Sequence, residues 1–189
     1  MTGQKSSISE NEYLEAERKA LNKHEYYRGE IFAMAGASIE HNRIVRNTLN
    51  NISSYLKKGK CEPFGSDLRV HIPSNSLYTY PDITVICGKI ETAESKPDTV
   101  LNPSVIFEVL SEATKDYDRG SKFMLYRAFK TLKEYILIVS TGSVMIEKYQ
   151  INNDGLWELQ EYKNQEDILK IEHLDIEIPL SEIYEGVYA

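Results

Sequence analysis

Two short apolar runs, Asp82–Cys87 and Val105–Leu110, constrain this chain more than any other feature. Both are rich in β-branched residues and too short for helices, so they predict strands buried in the interior of a sheet. Each nevertheless carries a carboxylate. Asp82 opens the first run after Tyr80-Pro81, and Glu108 lies inside the second. A carboxylate among apolar residues is costly unless it is paired, hydrogen-bonded or bound to a cation. The polar loop Gly88–Pro103 between the runs is long enough to join adjacent strands, which would set the two acids side by side. Either acid alone also fits a strand-end carboxylate or a structural ion pair. Two on successive strands, with a basic helix following, point to a hard-cation site: oxygen ligands for Mg²⁺ with open positions for water and a substrate phosphate.

The remaining chain supplies elements to enclose such strands. Ser9 and Glu12 form a capping-box pattern for a helix over Glu10–Leu21. His24–Tyr27 and Glu30–Ala33 read as strands around a turn at Arg28-Gly29. Ser38 caps a long helix to about Lys57, in which Ile44, Val45, Leu49, Ile52 and Leu56 recur at helical spacing. Gly65–Ile72 then alternates, with Leu68, Val70 and Ile72 on one face and Asp67, Arg69 and His71 on the other, and Pro73–Tyr80 is a turn-rich connector. Asp116–Thr131 predicts a helix, Glu134–Ser140 and Val144–Gln150 a strand pair, and Leu156–Tyr162 a further strand. The order predicts an α/β fold: a mixed central sheet flanked by helices, with a β-rich C-terminal extension, as a single domain over residues 1–189.

Composition bounds the function. With 189 residues, 41% hydrophobic and 27% charged, the chain can bury a sizeable core. No apolar run spans a bilayer, and the first residues lack the apolar segment of a signal peptide. Cys61 and Cys87 suggest neither a disulfide framework nor a metal-ligand pattern, so a reducing cytoplasm is the expected location. The net charge of −7 argues at first against a polyanionic partner. Its distribution does not: residues 43–60 carry five bases and no acid, 115–144 carry six bases and three acids, and 145–189 carry three bases against eleven acids. Removing the acidic tail leaves a core at +1.

An ordered set of motifs resembles a known family. EYYRGEIFAMAGAS at Glu25–Ser38, His41, GSDLRV at Gly65–Val70, YPDITV at Tyr80–Val85, FEVLSEAT at Phe107–Thr114, then Asp118, Lys122, Tyr126 and KEYILIV at Lys133–Val139 are similar to the Uma2 (DUF820) family of the PD-(D/E)xK nuclease superfamily. The resemblance implies a restriction-endonuclease-like core and metal-dependent hydrolysis of a phosphodiester. It assigns Mg²⁺, with Mn²⁺ as a substitute, to Asp82, Glu108 and the backbone carbonyl of Val109. The superfamily places a lysine two residues after the glutamate, where this chain has Leu110. The family offers a migrated lysine, Lys122, to position the attacking water. Lys122 also fits a solvated helix-face lysine paired with Asp118 four residues earlier.

Supporting roles follow from the same resemblance for His41, Asp67, Glu30 and Asp118. Asp67 either adds a carboxylate to the site or points to solvent. His41 contacts a phosphate, tunes a carboxylate or simply caps its helix. Glu25 and Glu30 flank a turn, where surface carboxylates are common, and the family pattern favours Glu30. Arg43, Arg46, Lys57, Lys58 and Lys60, with Lys115, Arg119, Arg127, Lys130 and Lys133, are candidates for phosphate contacts or for solvated faces. The expected partner is nucleic acid, DNA above all, bound by a homodimer. Two competing functions remain: a binding module of the same fold without activity, for which Leu110 speaks, and an interaction protein working through its acidic tail.

Overall fold

The computed structural model of the chain describes residues 7–57, 59–93 and 98–188. Ser9 opens the fold with the predicted capping box: its hydroxyl accepts from the Glu12 amide, and the Glu12 carboxylate accepts from the Ser9 amide at 2.8 Å. The helix, α1 (Glu10–Glu17), stops a turn short of Leu21. Only Tyr13 and Leu14 are buried and Leu21 is fully exposed, so no apolar contact holds a further turn. Glu17 instead accepts from the His24 amide at 2.8 Å and leads into β1 (His24–Tyr27). β1 and β2 (Glu30–Ala33) form the predicted hairpin. Arg28 and Gly29 have φ values of 47° and 91°, the two positive angles that a two-residue type I′ turn requires.

Ser38 caps α2 (Ile39–Leu56) by accepting from the His41 amide, and the helix buries Ile44, Thr48 and Ile52. Beyond it the expectations need correction. Gly65–Ile72 is two strands in two sheets, because the chain turns after Gly65, where the Leu68 amide donates to the Gly65 carbonyl at 3.2 Å. β3 (Cys61–Gly65) joins one sheet and β4 (Arg69–Ile72) the other. Arg69 and His71, on the face opposite Val70 and Ile72, are buried as well. The Arg69 guanidinium donates to Thr99 Oγ1 and to the Tyr80 hydroxyl. The Pro73–Tyr80 connector contains β5 (Leu77–Thr79), and the loop after β6 (Ile83–Cys87) contains β7 (Thr99–Val100).

The two apolar runs are strands as predicted, and they are neighbours: β6 pairs antiparallel with β8 (Val105–Leu110), Ile83 opposite Phe107. The predicted helix after β8 is broken into α3 (Lys115–Tyr117), a π-helical turn at Asp118–Lys122, and α4 (Phe123–Tyr126). Then come β9 (Glu134–Val139), parallel to β8, and β10 (Ile146–Ile151) and β11 (Trp157–Tyr162), each antiparallel to its predecessor. A hairpin of β12 (Ile168–Ile171) and β13 (Ile176–Pro179) precedes α5 (Leu180–Ile183).

Among the described residues these strands make a six-stranded sheet, β11-β10-β9-β8-β6-β3, a five-stranded sheet, β2-β1-β5-β4-β7, and the β12–β13 hairpin. The fold is mixed α/β with helices flanking mixed sheets. Much of the expected C-terminal extension, β10 and β11, belongs to the central sheet itself. The alternation of β8 divides the interior. Val105, Phe107 and Val109 face the core under α2, α5 and the hairpin, whereas Ile106 and Leu110 face the core shared with the five-stranded sheet and α4. Glu108 lies on that second face.

Cys61 and Cys87 sit directly opposite each other on β3 and β6, with Cα atoms 3.9 Å apart, and are joined as a disulfide. Sequence spacing suggested no bridge; the strand register makes one. The cysteines therefore give no indication of a reducing compartment. No helix among the described residues is long and apolar enough to cross a membrane.

Candidate active site

Four elements converge on Glu108. Its Oε1 accepts from the Tyr126 hydroxyl at 2.8 Å and lies 2.9 Å from Lys122 Nζ. The lysine is only 5% exposed. It stands on the π-helical turn, a distortion often found at functional sites, with Asp118 Oδ1 at 3.5 Å on the same turn. A third carboxylate comes from the five-stranded sheet: Glu25 Oε1 on β1 is 3.2 Å from Lys122 Nζ and accepts a hydrogen bond from Thr79 Oγ1 on β5. The ammonium has three N–H groups and three carboxylates around it.

Asp82 stands at the entrance of β6. Its Oδ2 accepts from the Val109 amide at 2.7 Å, and its Oδ1 lies 3.1 Å from His41 Nε2 in the first turn of α2. A carboxylate only accepts, so His41 Nε2 carries the hydrogen. In a strand the N–H and C=O of one residue point to the same edge, so the Val109 carbonyl also lies on the Asp82 side of β8. Asp82 and Glu108 thus lie at neighbouring places on the paired strands β6 and β8, Asp82 reaching toward α2 and close enough for its charge to act on Glu108.

The environment sets the charges. Burial pushes the Glu108 carboxyl up to about 8; Lys122 opposes that shift, and Asp118 and Asp82 reinforce it. Burial also raises the Asp118 carboxyl against the pull of Lys122. Burial by itself would lower the Lys122 ammonium, but Glu108, Tyr126, Glu25 and Asp118 together outweigh it and hold Lys122 well above its ordinary value. Lys122 is a fixed cation in this cluster, a donor and not a base.

Other predicted residues lie elsewhere. Asp67 is fully exposed and pairs with Lys23 Nζ at 2.9 Å, and Glu30 is exposed on β2; neither joins the cluster. The residue that the resemblance passed over, Glu25, is 9% exposed and does join it. Strand position separates the two: Glu25 and Glu30 lie in opposite strands of one hairpin, and β1, paired on both sides, is the strand that buries side chains. Leu110 is 2% exposed, packed in the core beside Ile106 and Phe123. Of the basic residues, Lys115 pairs with Glu112 at 2.7 Å and Arg119 binds both oxygens of Glu147. Arg43, Arg46, Lys57, Lys60, Arg127 and Lys130 are exposed; Lys58 lies outside the described residues.

Among the described residues no three His, Cys, Asp or Glu side chains are gathered so as to hold a metal ion by themselves. The donors available around Glu108 are nonetheless all oxygen, from two carboxylates and a carbonyl. The acids Glu25, Asp82, Glu108 and Asp118 outnumber the single ammonium. Hard divalent cations that keep several waters suit such a set.

A mixed sheet flanked by helices, with acids at two neighbouring strands and a buried lysine on the following helix, is the arrangement expected of the restriction-endonuclease-like class. The chain belongs to the Uma2 family: the family model, described as "Putative restriction endonuclease", matches residues 10–181. Among its relatives, the uncharacterized protein slr1290 of Synechocystis sp. (strain ATCC 27184 / PCC 6803 / Kazusa) is 36% identical over 180 residues, covering 95% of this chain and 93% of that protein. A second uncharacterized protein of the same organism, sll1609, is 37% identical over 150 residues, covering 79% of this chain and 84% of its own length. The crystal structure of "a putative nuclease belonging to DUF820" from Anabaena variabilis ATCC 29413 superposes with a TM-score of 0.75 at 18% identity, over 95% of this chain and 99% of that one. At that identity the likeness concerns the fold.

Proposed function

We propose that this protein is a metal-dependent endonuclease that hydrolyses phosphodiester bonds of DNA. The observation that carries the proposal is Lys122 Nζ at 2.9 Å from Glu108 Oε1, a lysine beside the strand glutamate even though Leu110 occupies the usual lysine position. Asp82, Glu108 and the Val109 carbonyl would hold Mg²⁺ or Mn²⁺. When bound, such an ion supplies Lewis acidity at the phosphoryl oxygens and offsets charge that builds up in the transition state.

The chain's own residues do the positioning. Hydrolysis adds a water oxygen to phosphorus, breaks one P–O ester bond, and leaves one of the water's protons on the departing sugar oxygen. The Lys122 ammonium donates to the incoming water and fixes where it stands; held firmly as a cation, it orients that water and does not deprotonate it. Tyr126 and the Val109 amide fix the carboxylates of Glu108 and Asp82 from behind. His41 holds the other oxygen of Asp82.

DNA is the substrate class we infer. The exposed bases on α2 and after α4 are candidates for contacts to backbone phosphates, which position a duplex without reading its sequence. Action on both strands of a duplex would be served by a homodimer, which sedimentation equilibrium tests directly. Leu110 favours a second reading, nucleic-acid binding without cleavage.

The deciding experiment is cleavage of plasmid, linear and branched DNA in Mg²⁺ or Mn²⁺ by the wild type, Asp82→Ala and Lys122→Ala. The proposal expects product from the wild type alone. Equal activity in all three overturns it, and DNA binding without product in any of them leaves the second reading standing.

A further inference from the structure

We propose that Glu25, on β1, is a positioning residue for this hydrolysis: fixed by Thr79, its carboxylate keeps Lys122 in place when Glu108 turns toward a divalent cation, so that one Lys122 N–H is freed for the attacking water. The inference rests on the function proposed above and concerns the same site.

The geometry of the ammonium carries it. Around the Lys122 ammonium, three carboxylate oxygens lie within ion-pair distance of Nζ: Glu108 Oε1 at 2.9 Å, Glu25 Oε1 at 3.2 Å and Asp118 Oδ1 at 3.5 Å. Three carboxylates thus crowd the ammonium, and water or phosphate reaches it only by displacing one of these legs. One leg must open in the working enzyme. Glu108 is the one whose oxygens are also wanted by the cation, so it is the leg that yields. The lysine must then be held by the other two. Asp118 is the weaker of them: its contact is the longest, and it rides on the same helical turn as Lys122, so it cannot fix that turn against the sheet. Glu25 comes from a different sheet. Its Oε1 also accepts from Thr79 Oγ1 on β5, and that hydroxyl is 3.5 Å from the Tyr126 oxygen, which in turn donates to Glu108. Glu25 therefore ties Lys122 to β1 and β5 independently of Glu108. Nothing in this role brings Glu25 to the substrate. It acts through the lysine, and it is chemically distinct from the acids at the paired strands β6 and β8.

The test uses the full chain in three variants beside the wild type and Asp82→Ala. Glu25→Gln keeps the shape and an acceptor for Thr79 but removes the charge, Thr79→Val removes the anchor, and the exposed α1 residue Glu15→Gln serves as control. Cleavage is followed at saturating Mn²⁺ over a range of DNA concentrations. Lys122 accessibility is followed without metal, by limited acetic anhydride labelling and peptide mass spectrometry. The expectation for Glu25→Gln is a fall in kcat of roughly 10–100-fold, typical for partners that orient the groups in contact with a metal or substrate, with KM nearly unchanged. Lys122 acetylation should rise several-fold while Tm stays within a few degrees of wild type. Thr79→Val should move both readouts in the same direction by less, and Glu15→Gln should move neither. Unchanged kcat and unchanged labelling in Glu25→Gln overturn the inference. So does a loss of kcat that merely tracks a loss of Tm. An inactive wild type, or an active Asp82→Ala, overturns the nuclease proposal instead; the labelling result then decides separately whether Glu25 holds Lys122.

Discussion

Lys122 and Glu108 are joined at 2.9 Å across the gap between a π-helical turn and a central strand, both almost fully removed from water. A cation and an acid in such a place depend on each other. Their mutual attraction offsets much of the desolvation cost only while both are present. The same contact therefore governs stability and the proposed chemistry.

Replacing Lys122 should be costly for folding as well as for cleavage. Lys122→Ala leaves Glu108, Glu25 and Asp118 facing one another without a cation. Breaking a buried pair in this way costs about 3–5 kcal/mol. Urea unfolding above about pH 8, where Glu108 is ionised, should show that loss in full, and it should shrink as the pH falls and the abandoned carboxylates take up protons. Equal stability of Lys122→Ala and wild type above about pH 8 would contradict the burial of the pair.

Glu108 makes a signed prediction for pH. Its carboxyl is raised by burial to about 8 in the folded chain, from 4.5. The folded state therefore binds the proton more tightly than the unfolded one, and stability from this group is present below about pH 4.5 and is lost as pH rises toward about 8. In chelator, the wild type should lose stability over that window more steeply than Glu108→Gln, which has no such proton to lose. Glu108→Gln should also be inactive in cleavage. Parallel stability profiles for the two proteins would refute the shift.

The Cys61–Cys87 bridge should be measurable as stability. It closes a loop of sequence separation 26. On the chain-entropy account such a closure contributes ~3 kcal/mol. Full reduction, or Cys61→Ser with Cys87→Ser, should lower Tm by roughly 6–12 °C for a chain of this size. Melting curves with and without reductant provide the check. An unchanged Tm would mean that the strand pairing of β3 and β6 needs no covalent support.

DNA binding should depend on both salt and divalent cation. With a net charge of −7, the chain can approach a polyanion only through local bases and neutralised acids. Affinity for duplex DNA should fall steeply with added salt and rise with Ca²⁺, a cation used here to avoid turnover. Asp82→Ala should lose much of the Ca²⁺ response while keeping the salt response. Anisotropy titrations separate the two effects, and binding insensitive to both would exclude phosphate contacts as its source.

Much of this protein is fixed locally, and the sequence alone determined those parts. The capping box at Ser9, the Arg28-Gly29 turn, the long α2 and the two acid-bearing strands were legible because each depends on residues within one turn or one strand. The ordered motifs also carried the family. The sequence could not locate the break between β3 and β4, since alternation continues across it while the chain changes sheets. Register between distant strands decided the disulfide by placing Cys61 opposite Cys87. Tertiary packing likewise decided which acids matter. Glu25 and Glu30 look alike in the chain, and Asp67 follows a favoured motif, yet of the three only Glu25 is buried against Lys122 and Thr79. Charges become functional when burial removes water and brings them together, and burial is a property of the assembled sheets, not of any single segment.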